Sequence, residues 1–385
     1  MFTMAVGHSD DVDSNDAIAM VIEQCRASLG GLTPQAGILF SAFDSFHPAI
    51  VAAVREAFPG VSVMGATSTA EISSVNGYQE DSIALALFAS DSVDVTTGLG
   101  TGLGDDVDAA CRAAATQALG ATRREPKVCV VLAEPFGVDP QLTLEAMSRA
   151  LPNGVVIVGG MSARRDFVTD LPTYQFCDDV VAHDGVAVLL FSGPIAYSTA
   201  VGSGWRTLGA TGTVTRSGYG GVHEIDGRPA AEFLARYLDV TGPVLSNALA
   251  VVEVGADESY LRGILGSDPT SGSVTVAGLI PVGATVQLTT ADTDDILAGT
   301  KAALARATAE FPAGSHPEAA LIFSCAVRKF LLGSKTQVEA ELAQSVYGAT
   351  LPFAGMYCYS EIGPVRGVST SRLFNDTFVT LLLGT

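Results

Sequence analysis

The sequence lacks any apolar run long enough to cross a membrane, and positive charge is scarce. A transmembrane helix needs about 20 consecutive apolar residues, whereas the longest runs here, such as residues 83–89 and 186–191, have the length of β-strands. Lysine and arginine number 21 against 41 aspartates and glutamates in 385 residues, so the formal net charge is −20. Nucleic acids and anionic membrane surfaces attract clustered positive charge. The sequence therefore predicts no membrane insertion and no nucleic-acid partner.

The patterns of a disulfide framework, a metal centre and a secretory signal are also missing. The six cysteines stand singly, without a CxxC pair, and in a chain of this length we expect reduced, mostly buried thiols. No two of the five histidines have i, i+4 spacing, and no HxH or HExxH motif occurs, so we expect no metal site. The opening residues, MFTMAVGHSDDVD, have no basic segment or long apolar core. The expected location is the cytoplasm.

What the sequence does contain is a large apolar fraction, with 48% hydrophobic residues and a mean hydropathy of +0.36. This excludes disorder. The short runs rich in Val, Ile and Leu are typical of strands buried on both faces. The length suggests two domains, and residues 192–209 are rich in Gly and Ser. We place the junction there and expect domains at residues 1–200 and 201–385.

Three similar segments follow one another along the chain. Each has an apolar strand, an amphipathic helical stretch, a second strand with a glycine-containing turn, a loop and a final long strand. The second strands read VSVMGATSTAEI, VVIVGGMSARRD and LPFAGMYCYSEI, with Gly65, Gly159 and Gly355 at the same place. A β–α–β unit places its two strands parallel. We predict an α/β fold of repeated β-α-β-β units that form mixed sheets flanked by helices, a layered sandwich. Chance similarity between α/β segments is the alternative.

Charged residues recur at one offset after these glycines. Glu71 lies six residues after Gly65, Glu361 lies six after Gly355, and Arg165 has this offset in the second segment. Ligands of α/β proteins favour the carboxyl ends of strands. The two acids could bind an ammonium group and the arginine a carboxylate. This set suits an amino acid or a similar zwitterion. The alternatives are turn capping by the glutamates and a surface ion pair for the arginine.

Further candidates adjoin these positions. Thr67 and Ser68 are small enough to leave room for a ligand, and Arg328, just after a buried strand, either pairs internally or faces a site. Cys325 could act as a nucleophile only with a nearby base and a lowered pKa, and the alternative is a small buried thiol. The residues that we expect to form the ligand site are Glu71, Glu361, Arg165, Arg328, Gly65, Gly355, Thr67, Ser68 and Cys325.

A resemblance to a known family rests on several blocks of sequence. VMGATSTAEISSVNGYQEDSIALALF, RGILGSDPTSGSVTVAGLIPVGATVQL, LIFSCAVR and FAGMYCYSEIGPVRG with the later FNDT resemble the FIST domain, the paired FIST_N and FIST_C module of sensory proteins. The resemblance covers residues 5–383. It implies a small-ligand sensor in intracellular signal transduction, with an amino acid among the ligands thought to bind. Because the module fills the chain, a separate signalling output protein is expected.

Besides a binding scaffold whose acidic face recruits a basic partner, two other functional classes stay open. Some bacterial FIST proteins are reported as haem-binding nitric-oxide sensors, so haem is the cofactor that the resemblance suggests, and no particular histidine is preferred as its ligand. The other class is an enzyme, a hydrolase or lyase using Glu71 or Cys325. No recognisable catalytic triad, metal set or nucleotide loop supports the enzyme.

Overall fold

The computed structural model describes residues 1–45, 47–165, 171–218, 221–238, 242–256, 258–365 and 370–385. Within them the chain forms three six-stranded sheets and one seven-stranded sheet, with helices beside the six-stranded ones. The predicted α/β fold with mixed sheets is confirmed. Among these residues, no helix combines the length and hydropathy that a membrane span requires. All six cysteines are buried and free of disulfides, as predicted.

The first two repeats have the same order of elements. The first repeat contains β1 (Phe2–Ser9), α1 (Ser14–Leu29), β2 (Ala36–Ala42), α2 (His47–Ala57), β3 (Ser62–Ser68), β4 (Glu71–Ser73), β5 (Gly77–Gln79) and β6 (Ile83–Ser90). The second contains β7 (Asp94–Gly100), α3 (Val107–Gly120), β8 (Pro126–Ala133), α4 (Pro140–Ala150), β9 (Val156–Met161), β10 (Gln175–Cys177), β11 (Val180–Ala182) and β12 (Val186–Ser192). The repeat is thus longer than the sequence indicated, because it also includes the strand and helix before the predicted unit.

The third repeat is interrupted by an insertion after its first strand, β13 (Ala196–Gly202). The insertion contains β14 (Arg206–Gly218), β15 (Gly221–Ile225), β16 (Arg228–Pro229), α5 (Ala230–Leu234), β17 (Val244–Val252), β18 (Tyr260–Ser267), β19 (Val274–Val276) and β20 (Thr285–Thr290). The repeat resumes with α6 (Thr293–Ala309), β21 (Pro317–Cys325), α7 (Ala326–Leu332), a short 3₁₀ turn (Gly333–Lys335), α8 (Gln337–Tyr347), β22 (Phe353–Cys358), β23 (Glu361–Pro364), β24 (Ser371–Phe374) and β25 (Phe378–Gly384). Residue 200 lies inside β13, which pairs with β25.

Strand pairing confirms the predicted unit in all three repeats. The two strands joined by a helical crossover are parallel: β2 with β3, β8 with β9, and β21 with β22. The last long strand of each repeat pairs antiparallel with the first of these two. In each pair of parallel strands the repeat glycine lies opposite the same position, at Leu39, Val131 and Ile322. The repeats therefore share a register as well as an element order.

The repeats exchange short strands in a closed cycle. The β4–β5 hairpin of the first repeat joins the third repeat's sheet, β23–β24 of the third joins the second's, and β10–β11 of the second joins the first's. Three backbone hydrogen bonds follow the same cycle: Thr69 N–H to Tyr357 O at 3.1 Å, Tyr359 N–H to Met161 O at 3.2 Å, and Ala163 N–H to Thr67 O at 2.8 Å. The architecture is therefore a pseudo-three-fold ring in which each sheet contains strands from two repeats.

The core has an inner and an outer part. The inner faces of the three sheets share one apolar cluster, to which the repeats contribute Phe40, Leu132 and Phe323 at matching positions. The outer faces are covered by helices, which form separate clusters. The inserted strands form a barrel of their own, because β14 pairs with β20 on one side and with β15 on the other. This barrel is filled by a fourth cluster that includes Val214, Val251 and Val286.

Candidate functional site

Strand pairing places Glu71, Gln175 and Glu361 at equivalent positions of the three repeats. Each lies on an exchanged strand, opposite the residue that directly follows the repeat glycine of the neighbouring repeat: Met356, Ala66 and Gly160, respectively. The prediction that Arg165 is the counterpart of the two glutamates in the second repeat is therefore wrong, because Gln175 occupies the equivalent position. The connection before β10 is longer than the other two, so an equal offset along the chain does not reach the equivalent strand position.

Arg165 lies at the surface instead. Its Nη2 is 2.6 Å from Asp81 Oδ2, and the two side chains are 58% and 47% exposed. This is the surface ion pair that the sequence left open as the alternative. Such exposed pairs contribute little to stability. The structure does not bring Arg165 to either glutamate.

The three equivalent side chains are held by equivalent neighbours. Glu71 is fully buried and accepts hydrogen bonds from the hydroxyls of Ser68 and Ser82. At the same places in the second repeat, Gln175 donates to Ser162 Oγ at 2.8 Å and accepts from Gly185 N–H at 2.8 Å. The cluster around Gln175 is thus an amide version of the one around Glu71.

Glu361 has the third such environment. Its Oε2 accepts from the Thr377 N–H at 3.1 Å and from the Thr377 hydroxyl at 2.7 Å, and the Cys358 thiol lies 3.7 Å from Oε1. Burial raises the pKa of Glu361 to about 8, partly offset by the Thr377 hydrogen bonds. Burial likewise raises the pKa of Glu71 to about 7, offset by its two serine donors. Both carboxyls therefore titrate near neutral pH.

This environment predicts a pH dependence of stability. The ordinary pKa of Glu361 is 4.5 and its folded value is about 8, so the folded protein binds this proton more tightly than the unfolded chain. The contribution of this proton to the free energy of unfolding is fully present below pH 4.5 and is lost as pH rises through 8. Glu361→Gln removes the titration, and Gln175 shows that the position accepts an amide. We expect urea denaturation at pH 5 and pH 8.5 to give a smaller loss for Glu361→Gln than for the unmodified chain. An unchanged loss, equal to that of the exposed control Glu56→Gln, would contradict this.

The three repeat glycines and Thr67 lie inside the protein. Gly65 lies within β3 rather than in a turn, and Gly355 and Gly159 lie within β22 and β9. Thr67 is fully buried, and its Oγ1 accepts from the Tyr174 N–H at 3.0 Å. Ligand contact at these positions stays a prediction.

Arg328 pairs internally, which was one of the two alternatives. Its Nη2 lies 2.7 Å from Glu339 Oε1 and donates to Thr300 Oγ1 at 2.6 Å, and both members of the ion pair have side chains with no solvent exposure. Glu339 also accepts from the Ser324 hydroxyl at 3.0 Å and the Tyr357 hydroxyl at 2.9 Å. Glu339 was not predicted from the sequence, because its partner Arg328 lies on a separate helix. The network joins α6, α7, α8, β21 and β22.

Cys325 has the properties of an inert thiol. It is fully buried, and its Sγ lies 3.9 Å from Asp376 Oδ1. Burial, with the charges of Glu361 and Asp376 added, raises the pKa of Cys325 well above its ordinary value. A thiol nucleophile needs the opposite shift. The geometry therefore matches the buried-thiol interpretation.

A cleft of about 430 Å³ lies between the third repeat and the inserted barrel. It is formed by β13, the C-terminal end of α6, the barrel strands β17 and β18, and the third repeat's β24. Its walls include Tyr197, Ser198, Ser203, Trp205, Glu258, Tyr260, Arg306, Glu310, Arg372 and Thr377. Small-molecule sites are concave surfaces of this size with mixed apolar and polar walls. The cleft is therefore the candidate ligand site.

Two predicted residues lie directly behind the cleft wall. Thr377 lines the cleft and donates both its N–H and its hydroxyl to Glu361. Ser203 also lines it, and its carbonyl accepts from Arg328. Glu361 and Arg328 thus position wall residues, whereas neither of them lines the cleft itself. Glu71 belongs to the separate junction between the first and third repeats.

The residues that form the wall were not predicted from the sequence. Trp205, the single tryptophan, packs on Ala250 and Leu261. Its buried indole N–H has no hydrogen-bond acceptor among the described residues, although such groups are normally paired. Its place in the Gly- and Ser-rich segment at the expected junction was the available signal. Arg372 and Arg306 gave no signal of their own.

The lining of the cleft does not fit haem. No His, Cys or Met is among the lining residues of the cleft, and these are the usual axial ligands. Buried His8 has both ring nitrogens engaged, at 2.8 Å from Ser73 Oγ and 2.9 Å from Ser82 Oγ. Within the described ranges, no group of three or more His, Cys, Asp or Glu side chains could hold a metal ion.

The chain resembles several known proteins. An uncharacterised protein of Mycobacterium tuberculosis strain H37Rv is 32% identical over 257 residues, covering 62% of this chain and 63% of that protein. An uncharacterised protein of Mycobacterium bovis is 27% identical over 252 residues, with the same two coverages. The chain spans about 63% of the length of the curated relatives it matches.

A cyanuric acid hydrolase from A. caulinodans has a TM-score of 0.37 at 9% identity, covering 100% of this chain and 99% of that one. A TM-score this low does not establish a common fold or activity. The family models give a direct assignment: the FIST N domain model matches residues 35–228 and the FIST C domain model matches residues 230–364. The chain belongs to the FIST family, whose domains are sensory-type domains.

Proposed function

We propose that this chain is a cytoplasmic sensory module that binds a small polar ligand, an amino acid or similar zwitterion, in the cleft beside Trp205. The observation that carries the proposal is the cleft itself, with a buried indole N–H that has no partner among the described residues. A buried donor without an acceptor costs about 1–3 kcal/mol. Because the indole nitrogen has almost no accessible surface in the structure, a ligand acceptor would recover this energy if binding moves the indole toward the cleft.

The wall chemistry supports a ligand with both charges. Arg306 and Arg372 supply positive charge, and Glu258 and Glu310 supply negative charge at exposed positions. Tyr197 adds an aromatic surface on the β13 side. Groups of both signs around one cleft suit an ammonium group and a carboxylate on the same molecule. This keeps the predicted ligand class but moves it from Glu71 and Arg165 to other residues.

The signal would pass through the connection between barrel and ring. The barrel is inserted between β13 and α6, and Arg206 at its start forms an ion pair with Asp295 of α6 at 2.6 Å. A ligand that contacts both sides of the cleft favours one relative position of the two parts. In this proposal a separate output protein reads that position.

The proposal predicts a stabilising ligand within a broad metabolite panel. A ligand present at 100 times its Kd stabilises the folded state by about 2.7 kcal/mol, so Tm rises. Thr199→Phe fills the cleft, since Thr199 is one of its lining residues, and should abolish the rise. The matched control Thr285→Phe changes an exposed position of β20 outside the cleft and should keep it. A Tm that ignores the whole panel, or that rises equally in Thr199→Phe, would contradict the proposal.

A further inference from the structure

Two guanidinium groups lie over the ring of Tyr260, one of the cleft residues. The Cζ of Arg372 is 4.3 Å from the ring centroid and the Cζ of Arg262 is 4.5 Å from it. Arg372 lines the cleft beside Tyr260, and Arg262 lies behind them with 2% exposure. Arginine over an aromatic face is favourable, but two cations over one ring also repel each other.

Among the described residues, no carboxylate is in direct contact with Arg262, although the more distant charges of Asp139 and Glu253 act on it. Arg262 donates to the carbonyls of Leu373 at 2.9 Å and Leu261 at 3.2 Å. Burial lowers the pKa of Arg262 to about 10, which is the direction expected for a cation without a partner. Dipoles of carbonyl groups hold this guanidinium, but they do not neutralise it.

One glutamate serves both arginines and the tyrosine. Glu253 Oε1 lies 3.2 Å from Arg372 Nη2, and the charge of Glu253 also acts on Tyr260 and Arg262. Among the described residues, Glu253 is the carboxylate in ion-pair contact with Arg372, and none is in such contact with Arg262, so the two guanidinium groups share one direct acidic partner. Arg372 lines the cleft, so a ligand carboxylate there could supply a second direct contact.

Resting on the proposed function, we infer that the ligand carries a carboxylate and that this group binds at the cleft wall formed by Arg372 and Tyr260. A guanidinium matches the planar, bidentate geometry of a carboxylate. A singly charged group also meets less repulsion than a dianion does from a chain with net charge −20. The carboxylate is thus favoured over a phosphate.

Emission from Trp205, the single tryptophan of the chain, reports directly on this cleft. The probes are matched pairs at equal concentration, benzoate with benzamide and phenylalanine with phenylalaninamide, and inorganic phosphate is measured beside them. We expect at least one carboxylate to change the emission at a concentration at which its amide does not. Raising the salt concentration should weaken this response.

Two variants separate a binding role of Arg372 from a structural one. Arg372→Gln should weaken the carboxylate response by about 10- to 100-fold, the range for hydrogen bonds to charged groups. Glu253→Gln removes the competing acid and should tighten the response. If the Arg372–Glu253 pair only stabilised the fold, both variants would weaken it. The control Arg216→Gln breaks an exposed pair with Glu224 on the barrel and should leave the response unchanged.

The outcomes distinguish this inference from the proposal on which it rests. If amides or phosphate change the Trp205 emission more than the carboxylates do, the cleft binds a ligand and the carboxylate assignment is overturned. An Arg372→Gln response equal to that of Arg216→Gln overturns it as well. If neither these probes nor the metabolite panel changes the emission or the Tm, the proposed function fails, and the inference fails with it.

Discussion

Glu339→Ala is expected to destabilise the protein by about 3–5 kcal/mol, the cost of removing one partner of a buried ion pair. In the unmodified chain, Glu339 Oε1 lies 2.7 Å from Arg328 Nη2, and neither side chain is exposed to solvent. The substitution would leave Arg328 as a buried charge without this partner. The hydroxyls of Ser324 and Tyr357 would lose their acceptor at the same time. The effect is large because four side chains, those of Thr300, Ser324, Arg328 and Tyr357, bond to one carboxylate, which joins α8 to two strands of the central ring.

Urea denaturation measures this loss, and Arg165→Ala is the matched control. Arg165 also forms an ion pair, with Asp81, but both side chains are about half exposed, so its loss should cost under about 1 kcal/mol. Glu339→Gln should lie between the two variants, because an amide can accept some of these hydrogen bonds but carries no charge. Equal stability losses for Glu339→Ala and Arg165→Ala would show that the buried network does not stabilise the ring.

Gly65→Ala is expected to have an effect of similar size, about 3 kcal/mol or more, through overpacking. A Cβ at this position would lie 2.0 Å from the Leu39 carbonyl oxygen and 2.3 Å from the Phe176 ring. Leu39 belongs to the adjacent parallel strand, and Phe176 to the strand received from the second repeat. Both neighbours are held by the sheet, so neither can move away without disturbing the exchange of strands.

The matched control is Gly104→Ala, whose Cβ would meet no atom within 4 Å. We expect its stability to lie within about 0.5 kcal/mol of the unmodified chain. Thermal denaturation of the two variants in parallel gives the comparison. Gly355→Ala should repeat the Gly65 result, because its Cβ would lie 2.0 Å from the Ile322 carbonyl oxygen. Equal stability of Gly65→Ala and Gly104→Ala would contradict the close approach of β2 and β3 at Gly65.

The sequence predicted the repeated unit because that unit is local. The apolar strands, the amphipathic helices between them and the shared glycine give a pattern within a single repeat. The exchange of hairpins could not be predicted, since Ile72 pairs with Gly355 and no local pattern records a partner so far along the chain. The closure of the inserted barrel is non-local for the same reason.

The candidate site was predicted only in part. Counting residues from each glycine correctly matched Glu71 with Glu361, but it led to Arg165, because chain length and strand position diverge where a connection lengthens. Only the pairing of Gln175 with Ala66 identifies the third member. The cleft combines residues 205, 260 and 372, which three distant segments supply. Neither spacing nor composition brings such residues together before the fold is known.

A crystal structure of the protein grown with the strongest stabiliser from the metabolite panel would test the central claim most directly. The account predicts ligand density in the cleft of about 430 Å³, with an acceptor at the Trp205 indole N–H and a carboxylate beside Arg372. Density between the repeats at Glu71 or Gln175, with the cleft beside Trp205 containing only water, would contradict it.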